Sequence, residues 1–361
     1  MHYSSRYRCF HPLAETAVVL VAALCAAGCR TGAPAAGHAA GGGAAAAAAA
    51  AATWETTAES RFCRVHSVAA DTELAEALAQ TITAICREFE SRGWPLLPQP
   101  IDAFLFRSWT DFQAAAGSNW LGPQYDGAAN IGRGSLYLFH EWLPTARLLE
   151  VARHETTHLL LHEAGGFRVP ATARAAVGKD VLPAVPWWLE EGLASCMEPG
   201  PAARGPAAGI HAGRCRDLQK LIQEERCPSL ADVLGKPLEA KGSGEDYAVA
   251  WGVLYDVLFP PQPSSHAAGL RRLHAYLEAC RRGFLADPER EFGPRFLRPD
   301  GTLPPGFEQA WSAYIAPASL AAFPRLLLPP DASLAEWETG WRQRMGRLKP
   351  AVATPAVRPR P

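Results

Sequence analysis

The chain has 361 residues, of which 48% are hydrophobic and 20% charged. That is enough apolar material for a sizeable core and too ordinary a composition for a disordered polymer. Its 35 basic and 36 acidic side chains leave a formal charge of -1, so no long-range field draws it towards nucleic acid or acidic lipid, and neither is an expected partner.

The first residues read as an address. Arg6 and Arg8 precede an uncharged apolar run from Ala17 to Gly28, far shorter than the about 20 residues a membrane-spanning helix needs. A signal peptide over residues 1–28 is therefore expected, with the mature chain outside the cytoplasm. The run ends in Ala26-Ala27-Gly28-Cys29, which resembles the bacterial lipoprotein signal, although the usual leucine three places before the cysteine is here Ala26. Lipidation of Cys29 would anchor the chain in the cell envelope and be its only membrane contact; ordinary cleavage among the same small residues is the alternative.

Residues 29–53 form an Ala/Gly-rich tether that holds nine consecutive alanines, Ala44 to Ala52, and no large apolar side chain, so it cannot supply a core. One domain-sized block follows over residues 54–347, without repeats or a second linker, and then a Pro-rich tail over 348–361. Within the block, Phe62 to Val68 and Ile101 to Phe106 have strand character, and Asp71 to Ser91 carries apolar residues at helical spacing. Gly134 to Phe139 reads as another strand. It either lines a cleft as an edge that pairs with extended substrate, or is purely structural. Helices are expected at Thr145 to His162, Trp188 to Met197, Tyr247 to Leu258, Ala267 to Arg282 and Phe307 to Ile315, separated by Pro and Gly clusters. The sum is an α+β domain: a small sheet with flanking helices, then a mostly helical half.

Six cysteines lie beyond the leader: Cys63, Cys86, Cys196, Cys215, Cys227 and Cys280. In an oxidising compartment they could form three disulfides, with connectivity open; small buried thiols are the other reading.

The chemistry concentrates in Ala152-Arg153-His154-Glu155-Thr156-Thr157-His158. Residues four apart on a helix project from one face, so His154 and His158 can converge on one ion. Glu155 sits beside that face, placed to take a proton from an attacking water. Chance alone would produce this pattern in a chain of such composition on the order of once in fifty, so a further ligand must discriminate. A catalytic zinc takes three protein ligands and leaves a position open. His162 is too far along the helix, roughly 12 Å from His154 at 1.5 Å per residue, and reads as a helix-end group or one that supports a ligand. The metzincin pattern is excluded, because Leu161 and Ala164 stand where it needs Gly and His.

Further on, Pro186-Trp187-Trp188-Leu189-Glu190-Glu191-Gly192-Leu193-Ala194 resembles the second zinc helix of gluzincin metallopeptidases, whose W-L-x-E-G-x-A places the third ligand just before the glycine. The resemblance implies a zincin-like fold, a zinc cofactor, a peptide or protein substrate, and Glu191 as third ligand. Glu190 then falls on a neighbouring face, solvent-exposed or in a salt bridge. Gly192 and Ala194 would let the two helices approach closely. Ser195 could orient a ligand, or be exposed.

The block from Phe62 to Ile315 is also similar to a bacterial peptidase-like family known as domain of unknown function 1570, through the motifs above, Tyr247-Ala248-Val249-Ala250-Trp251, Ser229-Leu230-Ala231-Asp232-Val233-Leu234 and Phe307-Glu308-Gln309-Ala310-Trp311. By analogy with gluzincins that use a phenol against the oxyanion, Tyr247 is the candidate for that role, with plain core packing as the alternative. The aminopeptidase Gly-x-Met-Glu-Asn motif is absent, since Met1, Met197 and Met345 are the only methionines. An endopeptidase or an enzyme of narrow specificity is expected. The competing class is a non-catalytic envelope lipoprotein that uses the scaffold for binding, though such a role needs no Glu155. Zinc-dependent regulation of nucleic acid lacks a basic patch and Cys-rich fingers.

Overall fold

The computed structural model describes residues 55–67, 72–116, 126–199, 210–238, 240, 242–259 and 266–349. The expected signal peptide, Cys29, the tether and all but the first residues of the tail lie outside them. No helix among the described residues is long and apolar enough to cross a membrane.

Two antiparallel strands, β1 (Glu55–Glu59) and β2 (Cys63–Ser67), open the domain. Helix α1 (Thr72–Ser91) then carries the chain to β3 (Ile101–Phe106), parallel to β2. α1 buries Ala75, Leu78, Ala79, Ile82, Ile85, Cys86 and Phe89, an i, i+3, i+4, i+7 stripe that makes one face apolar. A short helix α2 (Trp109–Ala116), the strand β4 (Gly127–Asn130) and the strand β5 (Ser135–Phe139) complete a five-stranded sheet in the order β1-β2-β3-β5-β4. Strand alternation sorts its side chains: Cys63, Val65, Ile101, Ala103, Leu105, Leu136 and Leu138 are buried in the main core with α1. On the opposite face Phe106, Tyr137 and Phe139 pack with Phe112 of α2.

Helix α3 (Thr145–Gly165) follows, then a two-stranded ribbon of β6 (Phe167–Arg168) and β7 (Val181–Leu182), and helix α4 (Trp187–Met197). The rest is helical: α5 (Ala212–Gln223), α6 (Gly244–Leu258), α7 (His266–Arg281), α8 (Pro288–Phe296), α9 (Phe307–Leu327) and α10 (Leu334–Arg347). The domain is α+β, as its residue patterning requires.

Of the two readings of Gly134 to Phe139, the structural one holds and the edge one does not. β5 is flanked by β3 on one side and β4 on the other, with all five residues buried, so its hydrogen-bonding groups are taken and β4 holds the edge. α9 also runs well past Ile315, through Pro317 and Pro324. Each proline deletes a backbone donor, yet Trp311, Ile315, Ala316, Ser319, Ala322 and Phe323 stay buried along the helix, and that packing outweighs the local break. The six cysteines are free and buried; burial pushes the Cys86 thiol up to about 12, which makes it an inert apolar side chain at neutral pH.

α6 starts with a capping box. Ser243 Oγ accepts the Asp246 N–H at 3.2 Å, and Asp246 Oδ2 accepts the Ser243 N–H at 2.6 Å and pairs with Lys236 Nζ at 2.8 Å. Burial alone would raise the Asp246 carboxyl, but Lys236 and Ser243 outweigh it and hold the group below its ordinary value. Its contribution is therefore complete above the ordinary carboxylate range and lost as pH falls through the depressed value. Asp246→Asn should lower the urea midpoint at pH 7, and the gap from the unaltered chain should narrow in acid. Ser243→Ala should cost about 1 kcal/mol at pH 7, and less in acid, because the Ser243 hydroxyl also donates to Asp246 Oδ2 at 2.8 Å.

Candidate metal centre

α3 begins immediately after Pro144, whose fixed φ suits a helix start, and buries Leu148, Val151, Ala152, Leu159, Leu160 and Leu161. Thr156 and Thr157 would be costly in this interior, but their hydroxyls donate to the carbonyls of Ala152 (2.6 Å) and Arg153 (2.8 Å). One turn apart on this helix, the His154 and His158 rings stand with centroids 4.7 Å apart at 72°.

α4 brings the carboxylate. The close approach that Gly192 permits is to α6 and not, as expected, to α3: a Cβ there would sit 2.5 Å from the Ala250 carbonyl oxygen. Glu191, the residue before it, directs Oε2 to 3.3 Å from His154 Nε2 and 3.9 Å from His158 Nε2. One donor atom from each of the three side chains lies within 4.8 Å of the others. Glu191 Oε2 is buried and makes no aligned hydrogen bond. A buried carboxylate oxygen without a donor is costly, and a cation shared with two imidazole nitrogens would satisfy it. Ligand atoms at about 2.0–2.1 Å on a tetrahedron are roughly 3.3 Å apart, so the donor set fits zinc after small side-chain adjustments. His154, His158 and Glu191 keep side-chain exposures of 16%, 10% and 16%, which leaves an approach for a further ligand.

Both imidazoles are held from behind by α4. Glu198 Oε1 lies 2.8 Å from His154 Nδ1, and Glu190 Oε1 lies 2.9 Å from His158 Nδ1 as an ion pair not aligned as a hydrogen bond. With Nδ1 engaged, each ring turns Nε2 towards Glu191, the usual arrangement behind metal-binding histidines. Glu190 is thus a salt-bridge partner and not a solvent-exposed group. It also approaches His162 Nε2 at 3.5 Å, so His162 supports the site through Glu190. Burial opposes charge on His154, yet Glu191 and Glu198 outweigh it and hold the imidazole well above its ordinary value. His158 is raised by Glu191 and Glu190 against the same opposition. Burial likewise works against both carboxylates, but His158 and His162 hold Glu190, and His154 and His211 hold Glu198, well below the ordinary range.

Glu198 was not singled out from sequence, although a signal exists: it stands two helical turns after Glu191 and so shares its side of α4. The Glu198 carbonyl also accepts from Arg153 Nε at 2.6 Å, which ties the end of α4 to α3.

Glu155 lies beside the trio. Burial pushes its carboxyl up, with His158 and His154 opposing, Glu191 adding, and a hydrogen bond from the Ala129 backbone opposing. That contact puts edge strand β4 along α3. A Cβ at Gly127 would meet Val151 at 2.6 Å, and Val151 and Glu155 share one helix face, so the run Gly127-Ala128-Ala129 lets the strand lie close. Ser195 is fully buried and its hydroxyl makes no hydrogen bond, so it is not the exposed serine that sequence allowed. Tyr247, half-buried on α6, packs edge-on against Trp187 at 5.2 Å and lies beneath the Arg214 guanidinium at 4.9 Å.

Comparison with protein-family models and with curated protein sequences gives no match.

Proposed function

We propose that the chain is a zincin-like zinc metallopeptidase of the gluzincin type, working outside the cytoplasm and tethered in the cell envelope through Cys29. The observation that carries this reading is the convergence of His154, His158 and Glu191, with a second, non-ligating carboxylate, Glu155, beside them. Zinc held by the trio would supply Lewis acidity for a peptide carbonyl and an attacking water.

The protein's own groups supply the rest. The Glu155 carboxylate takes a proton from the water and hands it to the leaving amine, work worth about two to four orders of magnitude in rate. The open edge of β4 offers backbone groups to an extended peptide. Glu190 and Glu198 fix the imidazoles so that neither must reorient during the reaction. Lacking the aminopeptidase amine-capturing motif, the site suits cleavage within a chain or at one narrow class of peptide.

Tyr247 is assigned to hydrogen-bond the charge that develops on the carbonyl oxygen. Tyr247→Phe should then lower kcat by about 10- to 1000-fold with KM little changed; an unaltered kcat leaves Tyr247 as a packing residue. The whole reading is tested by metal analysis of the purified chain and hydrolysis of a mixed peptide library with and without chelator. Stoichiometric zinc and chelator-sensitive cleavage are expected. Zinc without cleavage would reassign the chain to binding, and absence of zinc would remove the reading altogether.

A further inference from the structure

Glu198 uses both of its carboxylate oxygens. Oε1 meets His154 Nδ1 and Oε2 meets His211 Nε2, each at 2.8 Å, with Arg147 Nη1 3.5 Å from Oε2. The Glu198 side chain is only 6% exposed, so its charge depends on these partners and not on water.

The proton positions follow from hydrogen bonding alone. His211 is the N-cap of α5, and its Nδ1 accepts the Arg214 backbone N–H at 3.1 Å. A ring nitrogen that accepts carries no hydrogen, so the His211 ring carries its proton on Nε2, pointing at Glu198. Glu198 therefore receives N–H groups on both oxygens. His154 directs its Nδ1 proton to Glu198, so Nε2 is the nitrogen that faces Glu191 and would give up its proton to a cation.

We propose that His211 is a positioning residue for the metal centre, one that locks Glu198, and through it the His154 ring, from a separate helix. The cap does not by itself call for an imidazole, since Asn, Asp or Ser caps a helix at least as well. What histidine adds is a second nitrogen on the far side of a rigid ring, able to reach Glu198 while the first holds the cap. The Glu198 backbone is already pinned by Arg153, so the His211 contact removes the freedom left to the side chain. Metal affinity thereby becomes coupled to the seating of α5.

This inference rests on the zinc reading, and two variants separate it from both that reading and simple misfolding. His211→Asn keeps a good helix cap but is too short to reach Glu198. It is expected to melt close to the unaltered chain yet bind zinc about 10- to 100-fold more weakly in competition with a chromophoric chelator, the usual penalty for losing a group that orients a ligand. His211→Gln keeps an N–H donor with longer reach and gives up the better cap, so it should recover most of the affinity at a lower melting temperature. Unchanged affinity in His211→Asn, where the unaltered chain does bind zinc, overturns the inference alone; an unaltered chain that takes up no zinc sinks it together with the metal reading. A readout independent of metal is the imidazole ¹⁵N spectrum of the zinc-free chain, which should show His211 protonated at Nε2 only. Protonation at Nδ1 would overturn the lock.

Discussion

Glu155→Gln should bind zinc at the stoichiometry of the unaltered chain and lose peptide hydrolysis by about two to four orders of magnitude, the usual contribution of a general base. The substitution is nearly isosteric, and its side-chain oxygen can still accept the Ala129 backbone hydrogen bond that the carboxylate accepts. The packing of β4 along α3 should survive, so the melting temperature should change little. The three donor atoms assigned to the metal come from other residues, so affinity should stay within a few-fold. What disappears is the capacity to take and return a proton, together with the negative charge of the carboxylate. Full hydrolysis by the Gln variant would reject Glu155 as the base while leaving the trio intact.

The sequence is legible where one physical signal dominates. The apolar stripe of α1 and the four-residue spacing of His154 and His158 need no knowledge of the fold, because a helix's own geometry decides which side chains share a face. Glu191 came from a resemblance and not from spacing, since nothing local says that α4 will cross α3 at that residue. β4 was invisible: Gly127-Ala128-Ala129-Asn130 has none of the branched or aromatic residues that mark strands, and its smallness is what lets it approach α3. For the same reason the sequence leaves open whether β5 is an edge or a structural strand, and only the pairing with β4 decides for the second. α10 was also missed, because only Trp341 and Met345 of its residues are buried, too few for a stripe to show. His211 carries no local signal at all; its pairing with Glu198 arises only when α5 returns to the end of α4.

Gly192→Ala should destabilise the domain by about 1–3 kcal/mol and weaken zinc binding as well, although alanine is the better helix former by about 1 kcal/mol. The sign is therefore diagnostic. A methyl group at 192 would stand 2.5 Å from the Ala250 carbonyl oxygen, 2.9 Å from its carbon and 3.1 Å from Leu254 Cδ2. The first two are backbone atoms inside α6, which cannot swing aside as a side-chain tip can, so α4 and α6 must separate. Glu191 is the adjacent residue and shifts with α4, whereas metal–ligand distances tolerate only about 0.2 Å. Gly244→Ala is the matched control, an exposed helical glycine with no atom within 4 Å of the added methyl; it should leave zinc binding alone and stabilise slightly, by up to about 1 kcal/mol. Urea midpoints and chelator competition on both variants decide the matter. If Gly192→Ala proves as stable as the control and holds zinc unchanged, the spacing of α4 and α6 is not what sets the Glu191 carboxylate against the two imidazoles.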